Sequence, residues 1–200
     1  MTKKDSRFLF VGNHQCLDFI NTQIVQQGKL VDLLRGFSDF VAWMVEARAI
    51  NPTQASEILR HWGNRPEAVL VVERAREFRS QLRHLVGQIA SRQSGSQTAI
   101  DEINRVLRRR NGHMTLVRRG SRFRRESRLE FSDPMQLLVP IAEAAGDLIC
   151  DCDFTLIRKC ENPACVLYYY DTSKNHARRW CSMALCGNRI KVAAHYRRHH

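Results

Sequence analysis

Residues 180–191 read WCSMALCGNRIK. Two cysteines separated by four residues are followed at once by Gly187, Asn188, Arg189 and a basic tail. A metal site, a redox pair, a catalytic thiol and core packing are the possible readings. Working outward, Cys160 and Cys165 lie upstream, so the four cysteines form C-x4-C-x15-C-x4-C. Four thiolates satisfy tetrahedral zinc, and each pair can form a chelating knuckle. Glu161-Asn162-Pro163 suits a tight loop between the first two. On a regular helix, residues five apart lie about 140° apart in projection. Cys181 should therefore precede a helix and Cys186 should sit in its first turn, with Ser182 as the cap. A knuckle followed by a helix-borne pair is the logic of a treble-clef-like finger, here residues 154–200. Zinc in such a site is structural, because four cysteines leave no open position for water or substrate.

The other three cysteines read differently. Cys16 lies in an apolar run and reads as a small buried hydrophobe. Cys150 and Cys152 form a lone C-x-C, for which burial is the simpler account. The N-terminus MTKKDSRFLF has neither a long apolar stretch nor a small-residue cleavage site, so a cytoplasmic protein is expected. Thiols in a reducing compartment favour metal ligation or burial over a disulfide framework. No apolar run is long enough to cross a membrane.

Residues 1–153 predict a mainly helical domain. Leu30, Val31, Leu33, Leu34 and Phe37 follow one another at helical spacing. Ser38 suits a helix cap, Asn51 or Thr53 starts a further short helix, and Gly63 closes it. From Pro66 to Ser91, Val71, Ala75, Phe78, Leu82, Leu85 and Ile89 step by three and four, which predicts a long helix. The period then changes. Residues 113–131 alternate around Gly120 and predict a β-hairpin with one arginine-rich face. Asp133-Pro134 is a helix start. The fold class expected is α+β: a helical N-terminal domain with a small hairpin, then the finger.

The chain has 200 residues and a net charge of +12. The charge is uneven: +2 over residues 1–104, +8 over 105–130, −5 over 131–157 and +7 over 158–200. Two basic blocks, one joined to a cysteine cluster, point to an acidic partner, with nucleic acid first. Lys174, Arg178 and Arg179 lie ahead of the third ligand and are the freer phosphate candidates. On a helix running on from Met183, Arg189, Val192, Ala193 and Tyr196 share one stripe, and Lys191 and Arg198 share another with His195. Arg189 is then either a brace, paired with Asp171, or a DNA contact. Arg197 completes the candidate set.

Residues 160–198, CENPACVLYYYDTSKNHARRWCSMALCGNRIKVAAHYRR, resemble the CGNR zinc finger, named for Cys186-Gly187-Asn188-Arg189. Residues 12–22, GNHQCLDFINT, resemble the start of the ABATE domain that precedes this finger in many bacterial proteins. The resemblance implies zinc on Cys160, Cys165, Cys181 and Cys186, and a DNA-binding, stress-related transcription regulator. Tyr170 stands where relatives usually carry Phe.

Three functions follow as expectations. The first is a DNA-binding regulator whose N-terminal domain senses a small-molecule effector or forms a homodimer. Asp18, Asn21 and Thr22, polar groups set in an apolar run, are either local caps or the lining of that effector pocket. The second is an RNA-binding or ribosome-associated basic zinc protein. The third is an enzyme with a pocket in the N-terminal domain. No nucleotide-binding glycine loop, His-Glu-x-x-His helix or nucleophile elbow is present, so a non-enzymatic protein is expected.

Overall fold

The computed structural model describes residues 6–192. Six helices and three short antiparallel pairs of strands follow in chain order among these residues. Helix α1 (Gln15–Ile20) leads into strands β1 (Gln23–Gln26) and β2 (Lys29–Asp32). Then come α2 (Phe37–Glu46), α3 (Pro52–Trp62), α4 (Pro66–Ala90) and α5 (Gln97–Leu107). Strands β3 (Gly112–Arg119) and β4 (Arg122–Leu129) form the predicted hairpin. A short tight turn, Pro134–Leu138, leads into α6 (Val139–Asp151). Strands β5 (Ile157–Lys159) and β6 (Tyr168–Tyr170) carry the chain to the last cysteines.

Helix α4 is the axis of the core. Its buried positions Val71, Ala75, Phe78, Leu82, Leu85 and Ile89 are those the sequence period marks. Helices α1, α2 and α5 pack around it, and α6 closes the bundle against α1 and α5. Trp43 of α2 and Phe19 of α1 meet with ring centroids 5.1 Å apart, tilted by 59°, an edge-type geometry that aromatic quadrupoles favour.

The caps explain the boundaries. Asn51 and Gln54 form a reciprocal capping box at the start of α3, and Asp133 with Gln136 forms another before α6. Each satisfies two backbone donors that a helix start leaves open. Ser38 is not a cap: α2 begins one residue earlier, behind Gly36.

Residues 23–32 correct the helical reading of that region. Gln27 and Gly28 both take positive φ, 50° and 76°, so two residues reverse the chain in a primed hairpin turn. Leu30 is 58 % exposed as a result. The Leu33–Leu34 pair enters the core from the loop after β2, which imitates helical spacing.

Gly112, at the root of the larger hairpin, has φ of +135°. A Cβ there would lie 2.0 Å from the Arg128 carbonyl oxygen. Only glycine permits this crossing.

Candidate metal centre and nucleic-acid interface

The four cysteines converge from two elements. Cys160 follows β5 and Cys165 precedes β6. The Cys165 N–H reaches back to the Asn162 carbonyl at 2.8 Å, closing a tight knuckle through Pro163. Cys181 and Cys186 flank the second element. Ser182 caps it by accepting the Leu185 N–H at 3.0 Å, as the sequence implies. Residues Met183–Gly187 wind as a π-helical turn, in which the Gly187 N–H reaches the Ser182 carbonyl at 3.1 Å. That wider turn lets Cys186 face Cys181, which precedes it.

All four Sγ atoms lie within 4.8 Å of one another, and all four residues are buried. Cys165 and Cys181 sulfurs are 3.9 Å apart, and those of Cys181 and Cys186 are 3.6 Å apart. A zinc ion at a Zn–S distance of about 2.3 Å needs sulfurs about 3.8 Å apart at tetrahedral angles. The donor set therefore fits zinc in type, number and spacing. Hydrogen bonds tune it. The Cys181 N–H donates to the Cys160 sulfur at 3.3 Å, and the Asn162 side-chain amide donates to the Cys186 sulfur at the same distance. Such donors stabilise thiolates. Bonds from the Cys165 and Cys181 thiols push the Cys160 thiol down, while the same sharing pushes Cys165 and Cys181 up. Without a cation, only part of the cluster ionises; a dication is what makes four thiolates compatible.

Trp180 and Leu185 pack against the cluster, together with Leu9 and Val11 from the beginning of the chain. Gly187 is closely packed: a Cβ there would meet the Met183 sulfur at 2.6 Å and the Trp180 ring at 3.3 Å.

Arg178 is the brace of the site. Its Nε donates to the Trp180 carbonyl at 3.0 Å, and its NH2 group to the carbonyls of Val11, at 2.8 Å, and Cys181. The guanidinium lies 4.0 Å from the centroid of the Tyr169 ring. Buried Asp171 completes the loop. Its carboxylate accepts from Ser173 and from the Arg178 N–H at 3.0 Å. Burial raises this carboxyl, but those bonds prevail and hold it below its ordinary range.

A family model described as "Putative stress-induced transcription regulator", ABATE, matches residues 13–151. The protein belongs to the ABATE family. The CGNR zinc finger model matches residues 157–199, the stretch that contains the four-cysteine cluster. A search of curated proteins returns no match.

The ABATE part holds the finger along one strand edge. β5 pairs with one side of β6. On the other side, the Asn21 side chain accepts from the Tyr168 N–H at 3.0 Å and donates to its carbonyl at 2.8 Å. The Tyr170 N–H donates to the Gly12 carbonyl at 2.8 Å, and Asn13 donates to the Tyr170 carbonyl at 3.0 Å. Arg83 of α4 reaches the Val166 carbonyl at 2.6 Å. Thr22 bonds the Phe19 carbonyl and accepts from buried Arg79 at 2.8 Å. Asp18 accepts the Gly12 N–H at 2.7 Å. Asn21 and Thr22 are fully buried. The polar atoms of Asp18, Asn21 and Thr22 thus take the structural role of the two expected for them, holding the fold and the finger together.

Asp18 yields a pH prediction. Burial lifts its carboxyl to about 6, against hydrogen bonds from Gly12 and Val11 and the nearby charge of Arg178. Above pH 6 the fold keeps a half-buried carboxylate charged, at a cost the unfolded chain avoids. As the pH falls below 6, the folded chain takes up the proton first, and the cost shrinks until the unfolded chain is protonated as well, at about pH 4. Asp18→Asn should raise the melting temperature at pH 8 by about 5 °C. The advantage should start to shrink below pH 6 and be gone by about pH 4; an equal advantage at pH 8 and at pH 4 would refute the assignment.

The cation candidates separate into two groups. Arg178 is occupied, and Arg179 pairs with Glu161 at 2.6 Å beside the Trp180 ring. Lys174, Arg189 and Lys191 are exposed and make no ion pair among the described residues. The brace imagined for Arg189 therefore belongs to Arg178, because Asp171 binds the Arg178 N–H instead. Val192, expected on an inward stripe, is 54 % exposed. The π-helical turn shifts the phase of every residue after it by about one position, so a stripe counted at 100° per residue points the wrong way. Ala193, His195, Tyr196, Arg197 and Arg198 lie outside the described residues. The sequence missed Asn21 and Arg178 as the clasp and the brace. Their partners stand 147 and 167 residues away along the chain, beyond any local pattern.

Proposed function

We propose that this protein is a non-enzymatic, zinc-dependent transcription regulator of the cytoplasm that binds duplex DNA. The observation that carries the reading is the finger's charge. Among the described residues, Lys174, Arg189 and Lys191 stand exposed without an ion pair, while Arg178 and Arg179 are bound to the protein itself. Cys160, Cys165, Cys181 and Cys186 would hold zinc, which supplies folding energy and no open coordination site for a reaction. The finger is fastened to the ABATE part by hydrogen bonds on one strand edge. A ligand or a second copy that moved α1 would therefore move the finger, which supports a role for the ABATE part in sensing or dimerisation.

Selection of bound fragments from a genomic duplex library, with zinc-loaded full-length protein, tests this reading. A specific duplex should be enriched and should survive an excess of bulk RNA. No enriched sequence, with RNA displacing every duplex, would instead favour the RNA-binding reading.

A further inference from the structure

Among the described residues, strands β3 and β4 pair only with each other, over eight residues each. At about 3.3 Å per residue, each strand spans about 26 Å. Register places Leu116 opposite Arg125 and Arg118 opposite Phe123, so one face of the ribbon carries Met114, Leu116, Arg118, Phe123 and Arg125. The other face carries Arg119, Arg122 and Arg124. Residues 112–129 hold six arginines and one glutamate. Arg119 pairs with Glu126 at 3.3 Å. Arg122, Arg124 and Arg125 are exposed, and their side chains make no hydrogen bond or ion pair among the described residues. Met114, Leu116 and Phe123 are 58 %, 67 % and 65 % exposed.

A lone two-stranded ribbon with both faces in water is marginal. Large apolar side chains at its surface imply a partner. The charge selects which one. Two copies of this hairpin would bring like charges together. The acidic segment of a second copy is a weaker match than a phosphate backbone, because two of its five carboxylates, Asp133 and Glu143, already bond Arg109 and Arg110 of their own chain. A nucleic-acid duplex offers the missing complement. Its phosphates suit the unpaired arginines. The major groove, about 12 Å wide, admits a two-stranded ribbon and presents thymine methyl groups to apolar side chains such as Phe.

We propose that the β3–β4 hairpin is a second DNA-contacting element, lying in a groove with Arg122, Arg124 and Arg125 on phosphates and Phe123 against the bases. The inference rests on the DNA-binding reading above, and the test separates the two. Zinc-loaded full-length protein is titrated with a mixed-sequence duplex by fluorescence anisotropy between about 50 and 200 mM salt. The hairpin variant carries Arg122→Gln, Arg124→Gln and Arg125→Gln. The finger variant carries Lys174→Gln, Arg189→Gln and Lys191→Gln. Zinc content and circular dichroism verify that both are folded. The hairpin variant should bind at least about 30-fold more weakly at 100 mM salt, with a log–log salt slope shallower by about 3. Phe123→Ala should weaken binding with the slope unchanged, as loss of an apolar contact requires.

Wild-type affinity and slope in the hairpin variant would overturn the inference and leave the regulator reading standing. Loss in the hairpin variant with none in the finger variant would support the hairpin and overturn the finger as the contact. A wild-type chain that binds no duplex overturns both. A dimer that Phe123→Ala dissociates, with DNA affinity unchanged, would give the apolar face to a second copy and overturn the proposal.

Discussion

Stripping the metal should unfold residues 157–192 and loosen residues 9–22, while α2 to α6 stay folded. The four sulfurs sit at zinc spacing inside a small cluster of Leu167, Tyr169, Trp180 and Leu185. That cluster is too small to hold the finger alone. Structural zinc contributes about 10–16 kcal/mol to the folding of such modules, as much as the whole stability of a typical domain. The spread to residues 9–22 follows from the strand edge. Once β6 dissolves, Asn21 is left with unpaired polar atoms in a buried place, at about 1–3 kcal/mol for each lost bond. Hydrogen exchange read by mass spectrometry, before and after chelation, measures both effects. Equal protection of 157–192 in the two states would contradict the assignment of zinc as the organiser.

The second large effect falls on Arg178. Arg178→Ala should cost about 4 kcal/mol, from three charge-assisted carbonyl bonds and the contact over the Tyr169 ring. Denaturant unfolding of the zinc-loaded chain measures it. Arg178→Lys should recover less than half, because one ammonium cannot span the carbonyls of Val11, Trp180 and Cys181. A loss below about 1 kcal/mol in the alanine variant would show that water replaces these bonds without penalty. Joint replacement of Arg178 and Arg179 would not isolate a DNA contact, since the first would loosen the finger itself.

The parts legible in the sequence are those set by neighbours along the chain. The cysteine spacing, the Ser182 cap, the Asn51 and Asp133 capping residues and the three-four period of α4 all act within a turn or two. Each appears in the structure where the sequence implies it. The misreadings have physical reasons. Residues 23–37 mix a two-residue reversal with apolar residues entering the core from a loop. That spacing imitates a helix, and Gln-Gly is a weaker turn signal than Asn-Gly. The π-helical turn at 183–187 alters the phase on which the roles of Arg189 and Val192 were counted. The arginines could be counted but not sorted. Whether a guanidinium is bound or free depends on carbonyls such as that of Val11, which only the folded chain brings near.

The pairing of residues 12–21 with β6 also has a consequence in time. Asn21 leaves the ribosome first and Tyr168 follows 147 residues later. At about 5–20 residues per second, the early segment waits on the order of ten seconds for its partner. Until then Leu9, Val11 and the polar atoms of Asn21 have nothing native to bind. The nascent chain thus passes through a stage in which the helical core can form while its first residues cannot. Metal capture by the last cysteines to emerge is then the step that completes both ends of the molecule together.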